Sequence, residues 1–356
     1  MAAQPTITVD LLKITENTAR VLADLSGIDV VGVTKVTCGS PEVAQAMLDG
    51  GATALGDSRL ENVERLRDAG IEAPIWLLRS PTPGIADEVV RLADISLESE
   101  LETVKALDRA CRRQEKSHGI VAMVELGDLR EGMMPDQLPF FLDKVGALQG
   151  VYVAGIGVSL TCFGGIAPSE ENLGRLAALA AEAEKQIGKP LLVSGGNSSS
   201  ISAVMSGIMP PEINTLRIGE TILFGVDTLT RNPIPTLHRD VFTVTAPVIE
   251  CKMKPSAPTG VVAQDAFGNI PAFKDRGERR RAICAMGRQD APPEGLVPVD
   301  ARVELLGASS DHLILDVDAL MRTPIVGESI PLSPNYAAVL ALFTSPYVRK
   351  AYTTGE

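Results

Sequence analysis

With 356 residues the chain is long enough to bury a large core and to form two domains. Apolar residues make up 45% of it and charged residues 22%, an ordinary soluble profile, and 45 acidic against 33 basic side chains leave a net charge of −12. That acidity argues against a nucleic-acid or anionic-membrane surface, and no apolar run has the length of a bilayer span or the form of a signal peptide. Five cysteines (38, 111, 162, 251 and 284) lie apart with no CxxC pair. Neither a disulfide framework nor a metal site is therefore expected, and the chain reads as cytoplasmic.

The first twenty-five residues carry Leu11, Leu12, Val21, Leu22 and Leu25 at helical spacing. From residue 28 to 225, short apolar runs then alternate with amphipathic helical stretches. The runs are Asp29–Thr34, Thr53–Asp57, Pro74–Leu78, Asp94–Glu98, Ile120–Leu126, Val151–Ser159, Leu191–Ser194 and Ile213–Ile218. Several are apolar throughout, as parallel strands buried on both faces must be. Start signals mark the helices: Ser40-Pro41-Glu42, Ser99 with Glu102 as a capping box, and Ser169 ahead of a helix that stops at Gly188. Eight such alternations predict a (β/α)8 TIM-like barrel, class α/β, with its site at the carboxyl ends of the strands. An open doubly wound sheet would carry a glycine fingerprint after its first strand, where this chain reads VGVTKVTCG.

After Pro233 the pattern changes. Val241–Ile249, Thr259–Val262, Arg281–Met286, Arg302–Leu306 and His312–Val317 read as strands between Pro- and Gly-rich joints, and a helix follows from Asn335 to Phe343. The expected organisation is a barrel over residues 1–236 and a mainly β domain over 237–356.

Three features could carry chemistry. Lys35 ends the first strand, where a partly buried amine can attack an aldehyde; the plain alternative is a salt-bridged lysine. Ser194-Gly195-Gly196-Asn197-Ser198-Ser199-Ser200 follows the seventh strand, and its amides and hydroxyls suit a phosphate or simply cap a helix. Arg217, in Leu216-Arg217-Ile218-Gly219-Glu220 at the eighth strand, is a permanent cation able to donate to a ring nitrogen, or else a structural partner of Glu220. Together they describe an aldehyde held at one end and a phosphate at the other.

The segments GVTKVTCGSPEVA, GDSRLENV, VELGDLREG, GIGVSLTCFGG, SGGNSSS, LRIGETILFG, DAFGNIPAF, RRAICAMGRQD, GASSDHLILDV and NYAAVLALFTSPYVRKAY resemble, over nearly the whole chain, the alanine/ornithine racemase family of pyridoxal 5′-phosphate (fold type III) enzymes. The resemblance implies Lys35 as the Schiff-base lysine, with Ser198, Asn197, Gly219 and Glu220 around the phosphate and Arg217 at the pyridine nitrogen. It further implies Tyr336 at the phosphate, and Arg130, Ser310, Asp311, Arg288 and Asp290 toward the substrate. A head-to-tail homodimer is implied too, in which the β domain of one chain completes the other's site.

One departure matters. Alanine racemases carry a tyrosine base after the glycine of a G-Y-A-D-G motif; here Gly287-Arg288-Gln289-Asp290 stands there, and Ser159 replaces a strand-six histidine. The second base is therefore open among Cys162, His312, Asp311, Asp290 and Tyr336, since arginine holds its proton too firmly. The expected reaction is inversion at Cα of a free amino acid through an external aldimine, with ornithine or another basic amino acid favoured and Asp57, Glu61, Glu125, Asp128 or Asp290 offered to a basic side chain. The rivals are a lyase or decarboxylase on the same scaffold and a non-catalytic cofactor-binding protein.

Overall fold

The computed structural model describes residues 4–355, which form two units: one from Leu11 to Arg239, the other made of the described residues up to Asp10 and those from Asp240 onward. Strand β1 (Thr6–Asp10) belongs to the second unit and helix α1 (Leu11–Leu25) opens the first. This corrects the expected boundaries of 1–236 and 237–356. Ile7 and Val9 alternate with threonines at the period of a strand, and β1 pairs antiparallel with Phe242–Thr245 and parallel with Arg349–Thr353.

In the first unit β2 (Asp29–Val33), β3 (Ala54–Asp57), β4 (Ile75–Leu77), β5 (Ile95–Glu98), β6 (His118–Val124), β7 (Val151–Val158), β8 (Leu192–Asn197) and β9 (Thr215–Ile218) pair in that order, and β9 closes on β2. All eight expected strands are present, in a closed parallel barrel. Helices α2 (Pro41–Asp49), α3 (Leu60–Asp68), α4 (Ala86–Leu92), α5 (Leu101–Gln114), α6 (Leu138–Gly146), α7 (Glu170–Ile187), α8 (Ile201–Met205) and α9 (Glu220–Phe224) follow the strands in turn. Ser40 caps α2 through Val43 N, and Ser169 and Asn172 cap α7 reciprocally. The box expected at Ser99 does not form. Glu100 is the extended residue before α5, and Glu102 binds Lys105 at 2.8 Å, because one turn along a helix a lysine competes for the same carboxylate.

The barrel interior is set by register. Val31 lies beside both Ala54 and Arg217, Leu97 beside Val121, and Met123 beside Gly157. Val31, Ala54, Trp76, Leu97, Val121 and Met123 pack as one cluster. Faces alternate along a strand, so Glu125 and Ser159, each two residues beyond an inward position, continue the inward face at the carboxyl ends, while Lys35 follows β2 in a 3-10 turn.

The second unit is antiparallel except where β1 meets β16. Its strands are β10 (Phe242–Pro255), β11 (Glu278–Cys284), β12 (Leu296–Pro298), β13 (Glu304–Ala308), β14 (Leu313–Asp316), β15 (Ser329–Pro334) and β16 (Arg349–Thr353), with helix α10 (Tyr336–Thr344) capped by Asn335. The expected strand Thr259–Val262 is absent. Pro258 removes a donor, Gly260 takes φ +113, and Val261 is fully exposed.

On the outer face of the barrel His118, Ser96 and Glu98 form a buried chain. His118 Nδ1 lies 3.1 Å from Ala93 O, which can only accept, so Nδ1 carries the ring proton. Burial pulls this imidazole down to about 4, so Nε2 stays bare and accepts a hydrogen bond from the Ser96 hydroxyl at 2.9 Å. The 2.7 Å contact between Ser96 and Glu98 then requires Glu98 to be the donor, a neutral acid, and burial pushes its carboxyl up to about 8. The unfolded chain loses this proton near 4.5 and the folded one near 8, so the contribution of Glu98 to stability declines as pH rises across that window. Glu98→Gln, which still donates to Ser96, is expected to flatten the decline and raise the urea midpoint at the alkaline end. Urea titrations across the window check this; an unchanged slope would mean that Glu98 is ionised in the fold.

Candidate active site

Lys35 begins a single 3-10 turn (Lys35–Thr37) directly after β2, and its exposed amine makes no hydrogen bond or ion pair with any described residue. The salt-bridge alternative falls. Cys38 and Gly39 then take φ +50 and +63, and a Cβ on Gly39 would stand 2.7 Å from that of Asn62, so only glycine fits this turn. Beneath it, Asp57 accepts from Thr34 Oγ1 at 2.8 Å, Asn62 Nδ2 at 2.9 Å, Ser58 N at 2.7 Å and Arg59 N at 3.1 Å. Burial raises its carboxyl despite these bonds. Asp57 is on the outer face, fixing the strand end that carries Lys35, and is not open to a basic substrate; Glu61 is on the exposed side of α3.

Across the β8 and β9 ends, Ser198 Oγ accepts from Gly219 N and Thr221 N, both at 3.3 Å. Ser198, Ser199 and Ser200 are buried, and Ser199 Oγ has no partner. Gly196 takes φ +114 with its missing Cβ 2.5 Å from Ser200 Oγ, and a Cβ on Gly219 would meet Val33 O at 2.8 Å. Two amides converge on the Ser198 hydroxyl where close packing at Gly196 and Gly219 leaves no room for a Cβ, and backbone amides gathered in this way suit phosphate oxygens. Thr221 N was missed in the sequence; its signal was the helix start just after Gly219. The Glu220 carboxylate turns to Arg231. Asn197 braces loops instead of facing these amides, donating to Leu160 O at 2.8 Å and accepting from Ser199 N at 2.9 Å.

Arg217 is 5% exposed and meets no carboxylate. Its guanidinium donates to Ser194 Oγ, to Val158 O at 2.8 Å and to Ser159 Oγ at 3.5 Å, and burial draws its pKa down to about 10. The pairing with Glu220 is thereby excluded. Ser159 Oγ also accepts from Arg130 at 2.6 Å, and Arg130 is balanced by Glu131 at 3.1 Å. Two cations thus share one hydroxyl on the inward face.

Asp128 is buried beneath the neighbouring loops. It accepts from Cys162 N and Phe163 N at 3.0 Å and from Ile166 N at 3.4 Å, which ties the loop after β6 to the loop after β7. With its oxygens so engaged it is closed to a substrate amine. Cys162 is exposed, with Asn197 Nδ2 3.4 Å from its sulfur. Glu125 Oε1 holds Gly127 N at 2.5 Å.

The other expected residues lie in the second unit. Arg288 N and Gln289 N bond to Ser309 O and Ser310 O at 2.9 and 3.2 Å, which brings the GRQD and SSDH loops together. Ser310, Asp311 and His312 are exposed there, and Asp311 accepts from Gln289 and from Ser310 Oγ. Arg288 pairs with Glu294. Asp290 is buried, closed by Gly287 N and Ser345 Oγ, which rules it out as a base or a substrate acid. Tyr336 begins α10, half-buried.

A family model for the N-terminal domain of alanine racemase matches residues 9–227. The chain is 39% identical to the ornithine racemase of Acetoanaerobium sticklandii over 350 residues, 97% of this chain and 99% of that protein. It is also 39% identical to the lysine racemase of Thermotoga maritima over 351 residues, 98% of each. Among solved structures, alanine racemase from Streptomyces coelicolor A3(2) superposes with a TM-score of 0.79 at 18% identity over 98% of both chains. The alanine racemase of Bartonella henselae with covalently bound pyridoxal phosphate does so with 0.75 at 17% identity, over 99% of this chain and 100% of that one. At such identities these two likenesses concern the fold.

Removing the clamp should loosen the loop after β7 without unfolding the barrel. Asp128→Ala strips the amides of Cys162 and Phe163 of their acceptor, at a cost of about 1–3 kcal/mol. Hydrogen exchange should quicken at residues 162, 163 and 166 while β6 and β7 stay protected; unchanged exchange would show that the clamp does not hold this loop.

Proposed function

This chain belongs to the alanine racemase N-terminal domain family, and from that premise we propose that it is a pyridoxal 5′-phosphate-dependent racemase of basic amino acids. The observation that carries the reading is a pair of cationic side chains, one just past the carboxyl end of β2 and one on the adjoining strand β9. Lys35 is an amine without partners, and Arg217 is a buried guanidinium without a carboxylate. An aldehyde requires the first, and a pyridine nitrogen can accept from the second. Ser198, the unpartnered Ser199 hydroxyl and the amides of Gly219 and Thr221 suit the phosphate. Bound there, the cofactor supplies an electron sink that acidifies the Cα–H bond of an attached amino acid.

The rest is the work of this chain's own side chains. Lys35 moves a proton on its own face of Cα. Arg217 would donate a hydrogen bond to the ring nitrogen while keeping its proton, since burial brings it down only to about 10. A donor that keeps its proton would leave a ring nitrogen unprotonated, which would moderate electron withdrawal and disfavour transamination. Inversion needs a second proton carrier on the opposite face, and we assign it to Cys162, the one candidate in the barrel unit, on a loop fixed by Asp128. Asp311, His312 and Tyr336 would serve the barrel of a partner chain in a head-to-tail homodimer, with Ser310 and Arg288 toward the substrate carboxylate. Val261, Ile270, Met321 and Val326 are exposed apolar side chains of the second unit that such a partner would cover.

The substrate class follows from the relatives named for ornithine and lysine and from Glu125. Among the acids offered by the sequence, Glu125 alone turns inward in the barrel. It lies at the end of β6, four strands around the barrel from β2, with its Oε1 on Gly127 N.

In heavy water the protein is expected to incorporate deuterium at Cα of L-ornithine and L-lysine with inversion, and loss of carbon dioxide instead would favour a lyase. Lys35→Ala should abolish exchange, and Cys162→Ser should keep exchange while losing most inversion. Full inversion by that variant would transfer the second role to His312.

Glu125→Gln should lower kcat/KM for ornithine about tenfold relative to norvaline, which has no terminal amine, as expected for the loss of a charge-assisted contact. Equal losses on both substrates would remove Glu125 from side-chain recognition.

A further inference from the structure

Ser159 presents an unusual hydrogen-bond account. Its Oγ accepts from Arg130 at 2.6 Å and from Arg217 at 3.5 Å. Neither guanidinium has a lone pair to offer in return, so the single hydroxyl proton cannot go back to either. No described residue accepts it, although the side chain is 5% exposed. Gly157, two residues earlier on β7, faces the interior against Met123 and Ser194, so Ser159 turns into the barrel mouth. Two cationic donors on one hydroxyl oxygen polarise its O–H bond and strengthen it as a donor.

We propose that Ser159 is a ligand-binding donor whose hydroxyl, held between Arg130 and Arg217, bonds an oxyanion in the barrel mouth. This inference rests on the reading of the site as a cofactor-dependent racemase. Two oxyanions of that chemistry can reach the mouth: the ring phenolate of the cofactor and the carboxylate of the amino acid. Both are acceptors only, and both are drawn to the two arginines. Ser159 adds an uncharged donor, which fixes the direction of the contact where two cations alone would fix only its sign.

The test separates the two sources, and separates donation from mere support of Arg130. Wild-type protein, Ser159→Ala, Ser159→Thr, Arg130→Ala and the Ser159→Ala/Arg130→Ala double variant are each loaded with pyridoxal phosphate. The absorption band and the dissociation constant of the cofactor report on the phenolate. The affinity for propanoate, a carboxylate without an amine, reports on the substrate end by calorimetry. Ser159→Ala is expected to weaken one of the two by about ten- to a hundredfold, the worth of a hydrogen bond to a charged group, and Ser159→Thr should restore it. In the Arg130→Ala background the loss should persist. If it vanishes there, Ser159 only positions Arg130 and the proposal is wrong; it is equally wrong if both affinities survive Ser159→Ala. Wild-type protein that binds no cofactor would overturn the racemase reading instead.

Discussion

A guanidinium buried without a carboxylate is the constraint around which the barrel mouth is built. Stripping Arg217 of water is costly, and an ion pair would be the ordinary compensation. The barrel supplies three neutral acceptors instead, Ser194 and Ser159 through their hydroxyls and Val158 through its carbonyl. Those acceptors come from β7, β8 and the turn after β7, so the cation is satisfied only when these strands are in register with β9. The pairing of Gly157 with Ser194, and of Val31 with Arg217, is what puts them there. A neutral shell also leaves the positive charge uncancelled, free to act on whatever enters the mouth.

Buried acids act elsewhere, under the turns. Asp57 holds the end of β2 from the outer face, and Asp128 binds together the loops after β6 and β7. Backbone amides give two of the four hydrogen bonds that Asp57 accepts and all three at Asp128, which is how a buried acid is satisfied without an arginine. Reactive side chains on short loops gain their precision from such anchors, because a loop has no ladder of its own to fix it. Lys35 and Cys162 are therefore placed by acids that never face the mouth.

The barrel was legible because its signals are local and repeated: apolar runs of strand length, caps such as Ser169 and a glycine stop at Gly188. Lys35, Ser198 and Arg217 could be placed on their strands for the same reason. Legibility failed where structure depends on distant partners. Thr6–Asp10 is a five-residue strand whose neighbours lie more than two hundred residues away, and the helical spacing of α1 masked it. The short strands β12 and β15 contain prolines, a mark of loops until the pairing is known. Asp57, Asp128 and Asp290 share a composition with catalytic acids, and only their hydrogen bonds reveal them as struts. The replacement at Arg288 was visible, but no sequence pattern discloses which face of Cα a side chain reaches.

The two ionisable networks of the barrel obey opposite rules, and position explains the contrast. On the outer face, between sheet and helices, His118 and Glu98 are both driven to their neutral forms, since burial there penalises charge and no ligand arrives to repay it. At the inward carboxyl ends stands Arg217, whose proton is held too firmly for burial to remove. A histidine or lysine in place of Arg217 would follow the outer rule, shed its proton and lose its pull on a ligand. Arginine is the one side chain that can sit 5% exposed among hydroxyls and still present a full charge to a ring nitrogen or an oxyanion. The identity of residue 217 is thus a consequence of how deep the site lies.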